Sequence, residues 1–399
     1  MTVSNAPALA SRILAILHEA GHTAYLVGGC VRDLLLDRAP NDFDVATSAR
    51  PDELLRLFPG SDMVGAHFGV VLVKDGADTV EVATFRSDHA YRDGRHPDGV
   101  TFETDPRKDA LRRDFTINGL MMDPRTGAVL DYVGGRADLA ARVIRTVGDP
   151  LTRFGEDHLR LLRAVRFAAR LGFEIETDTF AAMRALAGRL QSVSIERVRE
   201  ELVRILTEGS ARRGVELLAE AGLLAEVVPE AVVGPEMLAM LDGLSHPSVS
   251  LAMAVLLFGV AGPAGILERL RFSTDAIAQV ASMLSGQRRF PELRRSALSS
   301  LKRFLRQNGF DDCLELYRLR CQALGDSLEH YEFARTKLAG YSKPDLFPNR
   351  LLTGDDLIKI GMAPGPELGR WLSELETEQL EERVTTRDEA MAFVRKSGR

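Results

Sequence analysis

Cysteine is scarce in this 399-residue chain. Cys30, Cys313 and Cys321 are odd in number and lack metal-ligand spacing, which argues against a disulfide framework or a zinc ribbon. Unpaired thiols in a reducing compartment are the expectation, and the cytoplasm is the expected location. Long apolar runs are missing too: no stretch reaches the ~18 uncharged apolar residues of a membrane span, and residues 1–11 lack a basic segment followed by an apolar core. Neither a membrane partner nor secretion is expected. Nor is there an excess of positive charge. The formal net charge is −6, so the chain does not advertise a general nucleic-acid-binding surface and any such contact must be local. There is no Gly-x-x-x-x-Gly-Lys-Ser/Thr loop and no His-Glu-x-x-His, and His246 is followed by Pro247 rather than by the acid of a His-Asp phosphohydrolase centre. Apolar material, in contrast, is ample at 45%, enough at this length for two or more domains.

Apolar spacing predicts a helix over 8–20, ended by Gly21, then a short buried strand over 23–27 running into Gly28 and Gly29, then a helix over 32–36. Residues 42–45, 69–73 and 79–85 read as strands, with Asp75-Gly76 as the turn joining the last two. The result is a small mixed sheet with helices. From about Asp149 strand signals vanish and amphipathic helical patterns dominate, over 154–170, 196–206 and 212–221. Pro344, Pro348, Pro364 and Pro366 mark a stretch near which a last helical unit begins.

Asp42 and Asp44 lie two apart, and on a strand that spacing turns both carboxylates to one face, where they repel unless cations lie between them. All-oxygen ligands suit Mg²⁺, which keeps water and substrate phosphates in its shell, and paired ions can activate a hydroxyl and stabilise leaving pyrophosphate. An isolated Asp-x-Asp is more simply a polar turn after Pro40-Asn41. Gly28 and Gly29 shift the balance, because adjacent glycines between strand and helix let backbone N–H groups approach phosphates, with Arg32 adding charge-assisted bonds. Glu81, the lone charge in its strand, is the candidate third acid of a metal site, or else simply a solvent-facing residue.

Four ordered motifs, Gly28-Gly29-Cys30-Val31-Arg32-Asp33, Asn41-Asp42-Phe43-Asp44, Arg112-Arg113-Asp114-Phe115-Thr116-Ile117-Asn118 and Glu156-Asp157-His158-Leu159-Arg160-Leu161-Leu162-Arg163, resemble those of class II tRNA nucleotidyltransferases (CCA-adding enzymes) and bacterial poly(A) polymerases. The resemblance is closest over about 23–206, extends to residues 351–356 and 364–366, and does not cover 225–340. It implies an α+β fold: a polymerase-β-like nucleotidyltransferase head with a small mixed sheet over 1–148, followed by an all-helical neck that reads the base (149–222), a helical body (223–340) and a helical tail that binds tRNA (341–399). It also implies Mg²⁺ as cofactor, ATP, CTP and a tRNA 3′ end as partners, and no DNA. Addition of A alone and poly(A) synthesis share every motif, and an inactive RNA-binding protein is the alternative of another class.

In this resemblance, residues 112–118 bind the incoming nucleotide, with Arg113, Asp114 and Asn118 suited to triphosphate oxygens and a ribose hydroxyl. Gly119 stands where the family usually has alanine. On one continuous helix Asp157 and Arg160, three apart, share a face and set an acceptor beside a donor. Cytosine and adenine offer an amino donor beside an unprotonated ring nitrogen, whereas uracil and guanine offer a carbonyl beside a ring N–H. The pair therefore admits C and A; read without the resemblance it is an ordinary ion pair. Arg163 is assigned to the nucleotide, while Arg166 and Arg170 are left open between ligand and solvent. Residues 194–201, with a Ser cap, resemble a segment that buttresses the pocket. Residues 91–99 resemble the flexible loop kept by enzymes that add the terminal A. Arg288, Arg289, Arg294, Arg295, Lys302, Arg303 and Arg306, opposed locally only by Glu292, form the densest basic stretch, a candidate grip on an RNA backbone or a solvated helix face.

Overall fold

The computed structural model describes residues 6–64, 69–76, 78–89 and 99–397, and the chain forms two compact units, Met1–Val232 and Val233–Arg399.

The first unit is built on a sheet. Its opening helix, Ala6–Glu19, buries Leu9, Ala10, Ile13, Leu14 and Leu17, the one-sided stripe that helical periodicity requires. Strands follow as β1 (Ala24–Val27), β2 (Asp44–Thr47), β3 (Asp62–Val64), β4 (Val70–Asp75), β5 (Asp78–Thr84), β6 (Arg86–Asp88), β7 (Val100–Phe102), β8 (Met121–Asp123) and β9 (Ala128–Leu130). Seven of them make one sheet in the order β3-β4-β5-β2-β1-β8-β9, while β6 and β7 pair separately. The β2–β5 pair is parallel and the other pairs of the large sheet are antiparallel, so the expected mixed sheet is present. Its centre is Val45, Ala46, Val80 and Val82, all essentially inaccessible.

Three local expectations need correction. The strand expected from residue 42 starts at Asp44, so Asp42 lies in the preceding loop. The helix expected over 154–170 is two helices, Pro150–Glu156 and Arg160–Leu171, with Asp157 extended between them at φ −146. The cause is Asp157 itself, whose carboxylate accepts the Leu159 N–H at 3.1 Å, the local side-chain bond that competes with a helix ladder. Strand structure also persists past residue 149, since Glu174–Ile175 (β11) pairs in parallel with Val143–Ile144 (β10). Helices Ile195–Thr207 and Ala211–Glu220 complete the region. Ser194 occupies the N-cap position without a side-chain capping bond.

Among the described residues of the second unit the regular elements are helical. Phe290 stacks on Tyr317 at 4.1 Å between centroids and meets Phe304 edge-on. A further cluster of Leu352, Leu357, Leu375, Val384, Ala390 and Val394 forms the core of the last helices. No helix among the described residues is long and apolar enough to cross a membrane.

Candidate active site

The site forms where β1 runs into the Gly29–Leu35 helix. Gly28 adopts φ 74 and ψ −137, a region that L side chains avoid. A Cβ there would lie 3.3 Å from Arg113 Nη1 and 3.6 Å from Asp44 Oδ2. The bare backbone of this turn thus lets a cation and a carboxylate close in on one point.

Asp44 is half-buried at the start of β2, and parallel pairing sets it in register with Glu81 on β5, so both side chains leave the same face of the sheet. Asp42 is exposed in the loop before β2, and the alternation of strand side chains does not explain its place beside Asp44. What joins the three acids is their field. Burial, then Glu81, then Asp42 push the Asp44 carboxyl up to about 6, with Arg113 opposing them. Such frustrated negative charge is what a divalent cation relieves. Among the described residues no three His, Cys, Asp or Glu side chains converge closely enough to cage an ion on their own. Mg²⁺ does not require that, since it is commonly held by one or two carboxylates plus substrate phosphates and water.

Arg113 reaches the turn from the Pro106–Leu111 helix end. Its Nε and Nη2 are held by Asp109 Oδ2 at 3.3 and 2.9 Å. Arg112 takes Asp109 Oδ1 and lines a cavity of about 620 Å³ with Lys108, Arg153 and Glu156. Asp114 and Asn118 are spent largely on protein partners. Asp114 accepts from Phe115 N, Asn118 Nδ2 and both Nε and Nη2 of Arg163, the last at 2.6 Å. Asn118 Oδ1 accepts from Arg32 Nη1 at 2.8 Å. Arg32 is only 2% exposed, ion-paired with Asp33 and set over the Phe167 ring, so it belongs to the site's foundation. Expected phosphate contact from Arg32 therefore has little surface to act through. One hydrogen-bonded chain, Asp33–Arg32–Asn118–Asp114–Arg163, ties the glycine turn to the 3₁₀ turn Thr116–Asn118 and to the Arg160–Leu171 helix.

Asp157 and Arg160 do not share a helix face. Asp157 caps the end of one helix and pairs with Arg197 at 2.8 Å. Arg160 opens the next, bonded to Glu156 and to the Arg153 carbonyl. Arg166 is buried against Glu201 at 2.6 Å, and Arg170 lies near Asp33 and Glu208, so both serve internal pairs.

Sequence reasoning gave no role to Asp109 or Glu156, and placed Arg197 and Glu201 only within the buttressing segment 194–201, without their partners. The i,i+3 and i,i+4 spacing of Asp109 to Arg112 and Arg113, and of Glu156 to Arg160, was a readable signal. Arg197 meets Asp157 across 40 positions, which no local pattern reports. The basic stretch of the second unit is also less open than its composition suggests. Lys302 is 2% exposed and bonded to Glu382 and the Leu380 carbonyl, Arg303 and Arg306 pair with Glu376, and Arg294 pairs with Glu329. Glu292 is thus not the sole counter-charge, because later segments supply three more, Glu329, Glu376 and Glu382. Residues 91–98 of the expected loop lie outside the described residues.

Residues 24–145 match the family described as the Poly A polymerase head domain, and 172–233 match the one described as the probable RNA and SrmB-binding site of polymerase A. The chain is 35% identical to a CCA-adding enzyme of Levilactobacillus brevis over 92% of both chains. It is 36% identical to one of Lactococcus lactis, over 92% of this chain and 90% of the relative. Its fold matches the crystal structure of the Bacillus stearothermophilus CCA-adding enzyme in complex with CTP at a TM-score of 0.81, with 29% identity and 99% of each chain covered.

Proposed function

The chain belongs to the CCA-adding enzyme family, and from that premise we propose that it adds C and A from CTP and ATP to the 3′ end of tRNA, without a nucleic-acid template. The observation that carries this reading is kinship over most of the length, 35–36% identity over 92% of the chain, to relatives that bear that name. Kinship over that span favours this activity over A-only addition or poly(A) synthesis. The intact Asp42 and Asp44 speak against an inactive RNA-binding protein.

In this reading Asp42 and Asp44 hold Mg²⁺, and Glu81 adds the third negative charge. Bound there, Mg²⁺ would lower the cost of ionising the RNA 3′-hydroxyl and neutralise charge on the departing pyrophosphate. The fit is supported by the all-oxygen donor set and by the Glu81 carboxylate in register with Asp44, whose burial and like-charged neighbours disfavour its charge without a cation. Gly28 and Gly29 leave room for the triphosphate beside Arg113, whose Nη1 faces that turn. Asp114 and Asn118, already fixed by Arg163 and Arg32, present their remaining hydrogen-bonding capacity to the ribose. Asp157 and Arg160 read the base edge from two helix ends, each pre-oriented by its own partner, Arg197 and Glu156. A mismatched base leaves buried polar groups unpaired, at about 1–3 kcal/mol per group. We assign the head to 1–148, the neck to 149–222, the body to 223–340 and the tRNA-binding tail to 341–399. Exposed Arg288 and Arg295 are offered to the RNA backbone. The cytoplasm is the proposed setting, supported by three unpaired cysteines.

The test uses tRNA transcripts ending before CCA, after the first C and after CC, each incubated with CTP, ATP or both in Mg²⁺. Incorporation of C on the first two and A on the third is expected. A on the third alone would indicate an A-only enzyme, long A tracts on unrelated RNA a poly(A) polymerase, and no incorporation would defeat the enzyme reading.

A further inference from the structure

We infer that Asp109 is a positioning residue for nucleotide transfer, gripping one edge of the Arg113 guanidinium so that the opposite edge is aimed at the Gly28 turn. The inference rests on the transfer reading above. Asp109 has no exposed surface, and its two oxygens are divided between two arginines. Oδ1 takes Nε and Nη2 of Arg112 at 2.9 and 2.6 Å, and Oδ2 takes Nε and Nη2 of Arg113 at 3.3 and 2.9 Å.

A guanidinium is planar and rigid, so a carboxylate on its Nε/Nη2 edge decides where Nη1 points. In Arg113 that nitrogen is the atom 3.3 Å from the Cβ position of Gly28, which in turn is 3.6 Å from Asp44 Oδ2. The helix end supplies the geometry: Arg112 caps Pro106–Leu111 in helical conformation and the Arg113 N–H bonds the Ala110 carbonyl at 3.3 Å, which folds both side chains back onto Asp109. It also sets the charge. One carboxylate shared by two guanidiniums leaves a net positive charge, so Asp109 orients Arg113 without cancelling what an incoming triphosphate needs. A helix-stabilising ion pair alone would need neither complete burial nor a second arginine.

A double-mutant cycle on the full chain tests this. Values of kcat and KM for CTP and ATP are measured on tRNA transcripts ending before CCA and after CC, for wild type, Asp109→Asn, Arg113→Ala and the double variant, alongside thermal melting. Asp109→Asn is expected to lower kcat/KM by about tenfold to a hundredfold, the usual cost of misplacing a reacting group. The loss should be equal for CTP and ATP, since the turn that Arg113 faces is assigned to the triphosphate, which both share. On the Arg113→Ala background the same change should alter kcat/KM by less than about twofold. A general structural role would multiply the two losses. Multiplied losses, or wild-type kcat/KM in Asp109→Asn, overturn the inference. If Asp109→Asn does not fold, Asp109→Glu, which keeps the charge but displaces it by a methylene, replaces it in the cycle with the same criterion. Failure of the wild type to incorporate any nucleotide would instead defeat the functional reading.

Discussion

Asp114 offers the sharpest energetic test of the network beneath the site. Asp114→Asn preserves shape and removes charge. Burial alone would raise this carboxyl, but Arg163, through charge and two hydrogen bonds, together with Asn118, outweighs it and holds the pKa at about 2 against an ordinary 3.8. That depression corresponds to roughly 2–3 kcal/mol of stability at neutral pH. The sign follows from a folded pKa below the unfolded one. The contribution is complete above about pH 5, falls to roughly half near pH 3 and is nearly gone at pH 2. Urea unfolding of wild type and Asp114→Asn, followed by circular dichroism at pH 7, 4 and 3, should therefore show a gap of about 2–3 kcal/mol that shrinks as pH falls. A gap that is independent of pH, or that widens in acid, would refute the claim that the Arg163 charge stabilises ionised Asp114.

Four further outcomes are expected. Gly28→Ala forces a side chain into a left-handed backbone region against Arg113; it should cost about 1–3 kcal/mol in melting experiments and abolish most incorporation, and near-wild-type transfer would contradict the close approach described. Arg197→Ala releases Asp157, so the ratio of kcat/KM for CTP over UTP should fall about tenfold or more, while an unchanged ratio would remove Arg197 from base selection. Lys302→Met leaves the Leu380 carbonyl without its donor and should destabilise the chain by about 1–3 kcal/mol with the salt dependence of tRNA affinity unaltered. Arg288→Ala or Arg295→Ala should each reduce that salt slope by about one; the opposite pattern would return Lys302 to the RNA surface.

The elements whose signals are local were legible. Apolar stripes and glycine stops located the opening helix and β1, and Gly28 does occupy the turn between that strand and the next helix. Spacing alone misled at two points. It put Asp42 on a strand that starts two residues later, and it ran one helix through Asp157, where the side chain's own bond to Leu159 N ends the ladder. Counter-charges were the least legible part. Lys302 reads as an available cation because Glu382, which occupies it, is 80 residues away, and Arg32, already paired with its neighbour Asp33, spends its remaining edge on Asn118, 86 residues away. Only folding reveals such pairs, and they turned two expected ligand contacts into supports. Asp109 is the intermediate case, visible at helical spacing from Arg112 and Arg113 but meaningful only once the Gly28 turn is seen beside Arg113.

That Asp44, beside the glycine turn, drives nucleotide addition to tRNA together with Asp42 is tested most directly by comparing wild type with Asp44→Ala. Both would be incubated with a tRNA transcript ending before CCA, with CTP, ATP and Mg²⁺, and the products sequenced. Wild type should yield transcripts extended with C and then A, and Asp44→Ala should yield none. Extension by the variant, or a wild type that leaves the transcript unchanged, would contradict the account.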